Sequence, residues 1–383
     1  MSWEEIELNS IAQIIAGQSP KSSFYNEDGK GLPFFQGNAD FGVLTPKVRT
    51  YTSQVTKIST PNDLLISVRA PVGALNINNI KCCIGRGLAA IRASDGLNVK
   101  YLYYFLSQYK NKLKEIANGA VFEAVTTEQL KRIKIPLPPL PIQEKIANIL
   151  DRADQLRRKD QELHAKYAGL AQAIFVNMFG DPIRNEKRWE VKNLEEYILF
   201  LTSGSRGWAK YYREVGDVFL RIQNIGYNEL KIDNLTYVNA PTNAEAKRTQ
   251  VRAKDLILTI TADLGRSAVI PEELDKAYIN QHLAILRLNQ NFIDPYYLSA
   301  YFSSSKGKQI FDKLNKGGVK AGLNFNDIKN IPISVPPLSL QQQYTKKINL
   351  INKLKEKAKA NVKASESLFQ STLQRAFKGE LVN

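Results

Sequence analysis

The stretch IPLPPLPIQEKIANIL, Ile135 to Leu150, carries an apolar run into a proline pair and straight on into a helical pattern. Nearly the same order returns as ISVPPLSLQQQYTKKI, Ile333 to Ile348. Pro138-Pro139-Leu140 and Pro336-Pro337-Leu338 stand 198 residues apart in a chain of 383. Proline fixes φ, removes a backbone donor and pushes the residue before it toward extended backbone. Each pair therefore ends a strand and sets the angle at which the chain enters a helix. One element used twice at half-chain spacing marks an internal repeat, which is sought before any local assignment.

The match runs upstream of the prolines. NGAVFEAVTTEQLKRIKIPLPPL from Asn118 lies over KGGVKAGLNFNDIKNIPISVPPL from Lys316, with Val121, Ile133 and Leu140 keeping the offset to Val319, Ile331 and Leu338. Further back the offset drifts, as loops of unequal length require. NDLLISVRAPVGALNI lies over KDLILTITADLGRSAVI, LPFFQGN over VFLRIQN, and Trp3 over Trp189. Two unrelated domains joined by helical linkers would not carry the repeated strap.

The modules read as α+β. DLLISVRA, LAAIRA, DLILTITA and LAILRL are short β-branched or alternating runs bounded by Gly, Pro, Asn and Asp, the pattern of strands. VKYLYYFLSQYKNKLKEIA and DPYYLSAYFSSSKGKQIFDKL have helical spacing, with Asp294 before Pro295 as an N-cap. After the first strap the apolar series Ile142, Ile146, Ile149, Ala153, Leu156, Leu163, Tyr167, Leu170, Ile174, with Asp160 at the one polar step, advances by fours and threes, which predicts a coiled-coil seam. The second series is Leu340, Tyr344, Ile348, Ile351, Leu354, Ala358, Val362, Ser365, Phe369, Leu373. Each helix runs about 38 residues, or roughly 57 Å at about 1.5 Å per residue. Gly180 and Pro182 stop the first, and FKGELVN punctuates the second similarly. The predicted architecture is two modules, residues 1–135 and 181–335, with long helices over 136–180 and 336–383. The helices pack antiparallel between the modules, a pseudo-two-fold dumbbell in which the C-terminus returns beside Met1.

Composition points to partners. The formal net charge is +16, from 53 Lys+Arg against 37 Asp+Glu, an excess suited to nucleic acid or an anionic surface. No run approaches 18 consecutive apolar residues, so no membrane span is expected. MSWEEIELNSIAQII carries glutamates where a secretory leader has positive charge, so a cytoplasmic location is expected. Cys82 and Cys83, the only cysteines, suit a reducing compartment and cannot form a zinc-ligand set alone.

A search for catalysis finds little. Gly307-Lys308 lacks the upstream glycine of a phosphate loop, and CIGRGLAA is not a dinucleotide fingerprint. No Asn-Pro-Pro-aromatic or Asp-Pro-Pro-aromatic element of an amino-methyltransferase is present. His164 reads as an exposed helix residue. Binding is favoured over catalysis. A DNA reader needs Lys and Arg for phosphates, and Arg, Gln and Asn for base edges. Such residues sit beside glycines and turns: Gln36, Asn38, Arg69 and Arg86 in the first module; Arg221, Gln223, Asn224, Arg266, Gln281, His282 and Lys320 in the second. The repeat sets Gln36-Asn38 over Gln223-Asn224.

Over essentially its whole length the chain resembles the specificity subunits of type I restriction–modification systems. The strap residues Pro136, Pro138, Pro139, Leu140, Gln143 and Pro332, Pro336, Pro337, Leu338, Gln341 match that family's junction between recognition domain and long helix. Ile142 and Leu340 stand where it usually has Glu. VRAPVG, TADLGRSA and INQHLAILRL resemble its turn and following strand. The resemblance implies a non-catalytic subunit that reads an asymmetric, bipartite target in double-stranded DNA. It also implies two methyltransferase and two restriction (motor–nuclease) subunits as partners, with S-adenosylmethionine, ATP and Mg²⁺ belonging to them. Tyr167, Phe175 and Phe369, on the helices' outer faces, are the expected docking residues. Two other readings are a self-sufficient nuclease with two recognition modules, and a coiled-coil scaffold without sequence readout.

Overall fold

The computed structural model describes residues 3–118, 124–315 and 322–382. The chain forms two compact units, residues 1–161 with 360–383, and residues 162–359. Each long helix is thus shared between them. Val121, Val319 and Lys320 lie outside the described residues.

In the first unit the strap pairs with the N-terminal strand: Glu5–Glu7 runs antiparallel to Lys134–Pro136. An antiparallel four-stranded sheet follows in the order Ala12–Ala16, Leu88–Ala93, Leu64–Ser67, Leu75–Ile77. The two middle strands are the DLLIS and LAAIRA runs. Leu64, Leu65, Ile66 and Leu88 to Ile91 are all buried, so the continuous apolar pattern reports a sheet covered on both faces. A second, five-stranded sheet contains one parallel pair, Leu32–Phe35 beside Cys82–Ile84.

The second unit repeats this plan. Glu190–Asn193 pairs antiparallel with Pro332–Val335. The antiparallel sheet has the order Ile198–Ser203, Leu283–Leu288, Leu256–Thr259, Ser267–Val269. A four-stranded sheet contains the parallel pair Asp217–Leu220 beside Ala277–Ile279. An ion pair staples corresponding strands in both units: Arg92 grips Asp63 through two bonds of 2.8 Å, and Arg287 grips Asp255 at 2.8 and 2.7 Å. Burial alone would raise the Asp63 carboxyl, but the bonds from Arg92, Thr60 and Ser59 hold it below its ordinary value.

Each strap is fixed by the glutamine that opens the long helix. Gln143 is fully buried; its side chain accepts from Asn98 N at 2.9 Å and donates to Gly96 O at 2.9 Å and Pro138 O at 2.8 Å. Gln341, equally buried, accepts from Asp294 N at 2.8 Å and donates to Phe292 O at 3.2 Å and Pro336 O at 2.7 Å. A tyrosine hydroxyl reaches the same strap each time, Tyr101 to Pro136 O at 2.5 Å and Tyr297 to Ser334 O at 2.7 Å. Asp294 caps its helix through Tyr296 N at 2.8 Å, with Pro295 at its first position.

The long run of helical spacing in each module forms two helices, Val99–Gln108 and Lys110–Asn118, Pro295–Ser303 and Ser305–Leu314. At the second break Ser304 takes extended backbone, and its hydroxyl accepts from Gly307 N at 2.8 Å, which starts a new helix.

The proximal helix spans Leu140–Phe179 and the distal helix Leu338–Phe377, 40 residues each. Within the first unit Arg157 meets Glu366 and the Phe369 ring, and within the second Phe179 meets Tyr344, so proximal and distal helix segments touch in each. The proximal seam differs from its expected register. Ile146, Ala147 and Leu150 are buried, and Asp154 is buried with Arg157 and Arg158 bonded to it at 2.6 and 2.5 Å. Ile149, Leu156, Leu163 and Leu170 are exposed instead. The helix packs on the module core as well as on its fellow helix, and that core selects a face the heptad pattern does not mark.

Phe175 and Phe369, expected as outward docking residues, are 2% and 7% exposed. Phe175 joins a ring cluster with Phe179, Tyr297 and Tyr344, and Phe369 packs on Tyr104 under the Arg157 guanidinium. They close the cores beneath the helices, and Tyr167 is half-buried against the second unit's core. Trp3, Leu381 and Val382 pack on one and the same cluster in the first unit. Among the described residues no helix is long and apolar enough to cross a membrane.

Candidate nucleic-acid interface

Three turns of the first unit meet at one end of its parallel strand pair. Gln36 follows Leu32–Phe35, Gly85-Arg86-Gly87 follows Cys82–Ile84, and Gly17-Gln18 follows Ala12–Ala16. Backbone bonds lock them together: Gly85 N to Phe35 O at 2.8 Å, Gly17 N to Leu88 O at 2.9 Å, Gln18 N to Ile84 O at 2.9 Å. Gly17 permits the approach, since a Cβ there would stand 2.2 Å from the Gly85 carbonyl oxygen. Arg86 N donates to the Ser19 hydroxyl at 3.1 Å. The turns enclose a recess of about 480 Å³ lined in part by Gln18, Tyr25, Gln36 and Arg86.

The second unit builds the same cluster. Asn280 N donates to Leu220 O at 3.1 Å, Gly204 N to Leu283 O at 3.1 Å, and a Cβ on Gly204 would stand 2.1 Å from Asn280 O. The pairing of Phe35 with Ile84 and of Leu220 with Ile279 fixes the correspondence: Gln36 stands where Arg221 stands, and Arg86 where Gln281 stands.

This register replaces the alignment of Gln36-Asn38 with Gln223-Asn224. The counterpart of Asn224 is Asp40. Asp40 accepts from Gln36 N at 2.7 Å and is paired with Arg49, also at 2.7 Å; Asn224 accepts from Arg221 N at 2.9 Å. Asn224 is 2% exposed and donates to Lys231 O and Asn234 O, so it holds the turn rather than facing a ligand. A polar residue closing a short turn and one presented by it look alike in sequence. Asn38 is half-buried in the turn that Asp40 closes, and Gln223 is exposed.

The VRAPVG and TADLGRS segments are also one device. The Ser67 hydroxyl donates to Pro71 O and accepts from Ala74 N, both at 2.8 Å; the Thr259 hydroxyl donates to Asp263 O at 2.6 Å and accepts from Arg266 N at 3.0 Å. Arg69 is exposed beyond this turn in the first unit, at the position Thr261 holds in the second. Arg266 is clasped: its Nε and Nη2 lie 2.6 Å from Asp263 Oδ2, Tyr227 Oη donates to Asp263 at 3.0 Å, and the guanidinium lies over the Tyr227 ring. Burial would raise the Asp263 carboxyl, but these bonds hold it below its ordinary value. His282 is engaged at both ring nitrogens, by Thr261 at 2.7 Å and Gln281 at 3.0 Å. Gln18 and Ser19 escaped the sequence reading; the signal was an apolar run ending in glycine, IIAGQ and FLTSGS, present in both halves.

Among the described residues no group of three or more His, Cys, Asp or Glu side chains is arranged to hold a metal ion. What the clusters offer is guanidinium and carboxamide groups set on rigid turns above a strand pair, the groups that read base edges and phosphates.

Two copies of one α+β module, each bearing such a cluster, define a two-module reader of nucleic acid. The family described as type I restriction modification DNA specificity domain matches residues 1–165 and again 186–364. The chain belongs to that family. It is similar to the putative type I restriction enzyme MjaX specificity subunit of Methanocaldococcus jannaschii, 46% identical over 166 residues covering 42% of this chain and 39% of that one. The MjaIX specificity subunit of the same organism is 25% identical over 379 residues, covering 89% of this chain and 85% of that one. The crystal structure of a type I restriction–modification S subunit from M. genitalium matches the fold with a TM-score of 0.60 at 18% identity, across 98% of this chain and 96% of that one.

Proposed function

We propose that each module reads one half-site of an asymmetric, bipartite double-stranded DNA target, and that the chain contributes recognition and assembly but no catalytic group. The observation that carries this reading is the turn cluster, built twice on one backbone plan but furnished with different side chains. A scaffold indifferent to sequence has no need of a rigid cluster, and two modules with different side chains favour two different half-sites. Gln36, Asn38, Arg69 and Arg86 serve the first; Arg221, Gln223, Arg266, Gln281, His282 and Lys320 serve the second.

Two methyltransferase subunits and two restriction subunits assemble on the chain in the cytoplasm, bringing S-adenosylmethionine, ATP and Mg²⁺ with them. The docking face on the proximal helix is the exposed series Ile149, Leu156, Leu163 and Leu170, a seven-residue spacing that suits a partner helix. Gel-shift and light-scattering measurements on the full chain, with and without the methyltransferase subunit, test the reading. Sequence-selective DNA binding and a complex with that subunit are expected. Cleavage or methylation by the chain alone, or a monomer indifferent to the subunit, contradicts it.

A further inference from the structure

The register of the parallel strand pairs exchanges two side chains between the modules. The residue directly after the first strand is Gln36 in one and Arg221 in the other. The second residue after its partner strand is Arg86 in one and Gln281 in the other. By strand register each module therefore carries one carboxamide and one guanidinium at these two positions, in opposite order; the turn after Gln36 is one residue longer than that after Arg221, which is half-buried with its Nε enclosed.

Both positions are rigid. Gln36 N is held by Asp40 at 2.7 Å and Arg221 N by Asn224 at 2.9 Å. Arg86 is flanked by two glycines that let its turn lie on the backbone of Gln36: a Cβ on Gly87 would stand 2.5 Å from Gln36 O, and one on Gly85 3.1 Å from Gln36 Cα. In the first module Gln36 and Arg86 are both exposed and border one recess. In the second, His282 holds the Gln281 carboxamide at 3.0 Å and is held in turn by Thr261, which fixes where that amide points. Glutamine pairs in bidentate fashion with N6 and N7 of adenine, and arginine with O6 and N7 of guanine, each pairing giving a several-fold to roughly hundredfold preference over a wrong base.

We propose that these two positions are the purine-reading pair of each module: Gln36 and Arg221 occupy one reading position, Arg86 and Gln281 the other, and their exchange reverses the order of adenine and guanine between the half-sites. This rests on the recognition reading above. It assigns a base to a residue, and it makes the two half-sites related by exchange at these positions.

The test is selection of bound sequences from a randomised duplex library by the full-length chain with its methyltransferase subunit, for the wild type and for Gln36→Arg, Arg86→Gln and the double variant. Gln36→Arg is expected to convert one adenine of the first half-site to guanine. Arg86→Gln should convert one guanine to adenine, and the double variant should exchange the two, with the second half-site unchanged throughout. Gln281→Arg carries the same test into the second module, should a first-module variant fail to fold. If the wild type selects a bipartite sequence but the variants leave base preference unaltered, or weaken binding equally on all sequences, the exchange is wrong while the recognition reading stands. If the wild type selects no sequence, both fall.

Discussion

At the scale of single residues, the strongest constraints are side chains whose loss strands several backbone groups at once. Gln143 and Gln341, both buried, each satisfy one backbone N–H and two backbone carbonyls at the junction of strap, loop and helix. Leaving a buried polar group without a partner costs about 1–3 kcal/mol, so Gln143→Ala is expected to destabilise the chain by on the order of 3 kcal/mol. Urea unfolding should show a lowered midpoint at nearly unchanged slope. Asp63 makes a prediction of the opposite kind, one that depends on pH. Its folded carboxyl lies below the ordinary value of 3.8, so its stabilising contribution is complete above that value and is lost as pH falls through the lower, folded one. Asp63→Asn should therefore cost most near neutrality, between the ~1 kcal/mol of an exposed pair and the ~3–5 kcal/mol of a buried one. Its deficit relative to the wild type should shrink below about pH 4, measured by denaturation across the acid range. The glutamines were legible in sequence because the strap that contains them is repeated. Asn224 was misread because hydrogen bonding to one's own turn leaves no mark distinct from presentation by it.

The elements show where periodicity informs and where it does not. The strands were legible as short β-branched or alternating runs between turn residues; that both faces of the sheet are covered shows only in the burial of consecutive residues such as Leu64, Leu65 and Ile66. Of its expected series the distal helix buries Tyr344, Ile348, Ile351, Ala358, Ser365, Phe369 and Leu373, half-buries Leu340 and Val362, and leaves Leu354 exposed. The proximal helix keeps an equally regular heptad series exposed, because a helix packed on two bodies has more than one apolar stripe and the sequence does not say which is covered. The two stripes separate experimentally. Leu156→Asp and Leu163→Asp, at positions 46% and 41% exposed, should change stability by less than about 0.5 kcal/mol yet abolish binding of the methyltransferase subunit in light scattering. Phe369→Ala should cost about 3–5 kcal/mol in thermal or urea unfolding. If the aspartates destabilise the chain as strongly as the alanine, the exposed series is core and the proposed docking face is wrong.

At the scale of the whole molecule, the repeat is the fact from which the rest follows. It was legible from two proline straps at half-chain spacing, and it extends to strand order, to the Asp–Arg staple, to the buried glutamine and to the glycine that admits each turn cluster. The offset within the turn clusters was not legible, because it changes wherever a loop differs in length; only the strand register supplied it. A duplicated plan with divergent turn residues should recognise two different short sequences. Sequencing the duplexes that the intact chain and its methyltransferase subunit retain from a randomised library measures this directly. Two dissimilar conserved blocks, separated by base pairs of no fixed identity, are expected. A single contiguous block, two identical blocks or no enrichment would contradict the account.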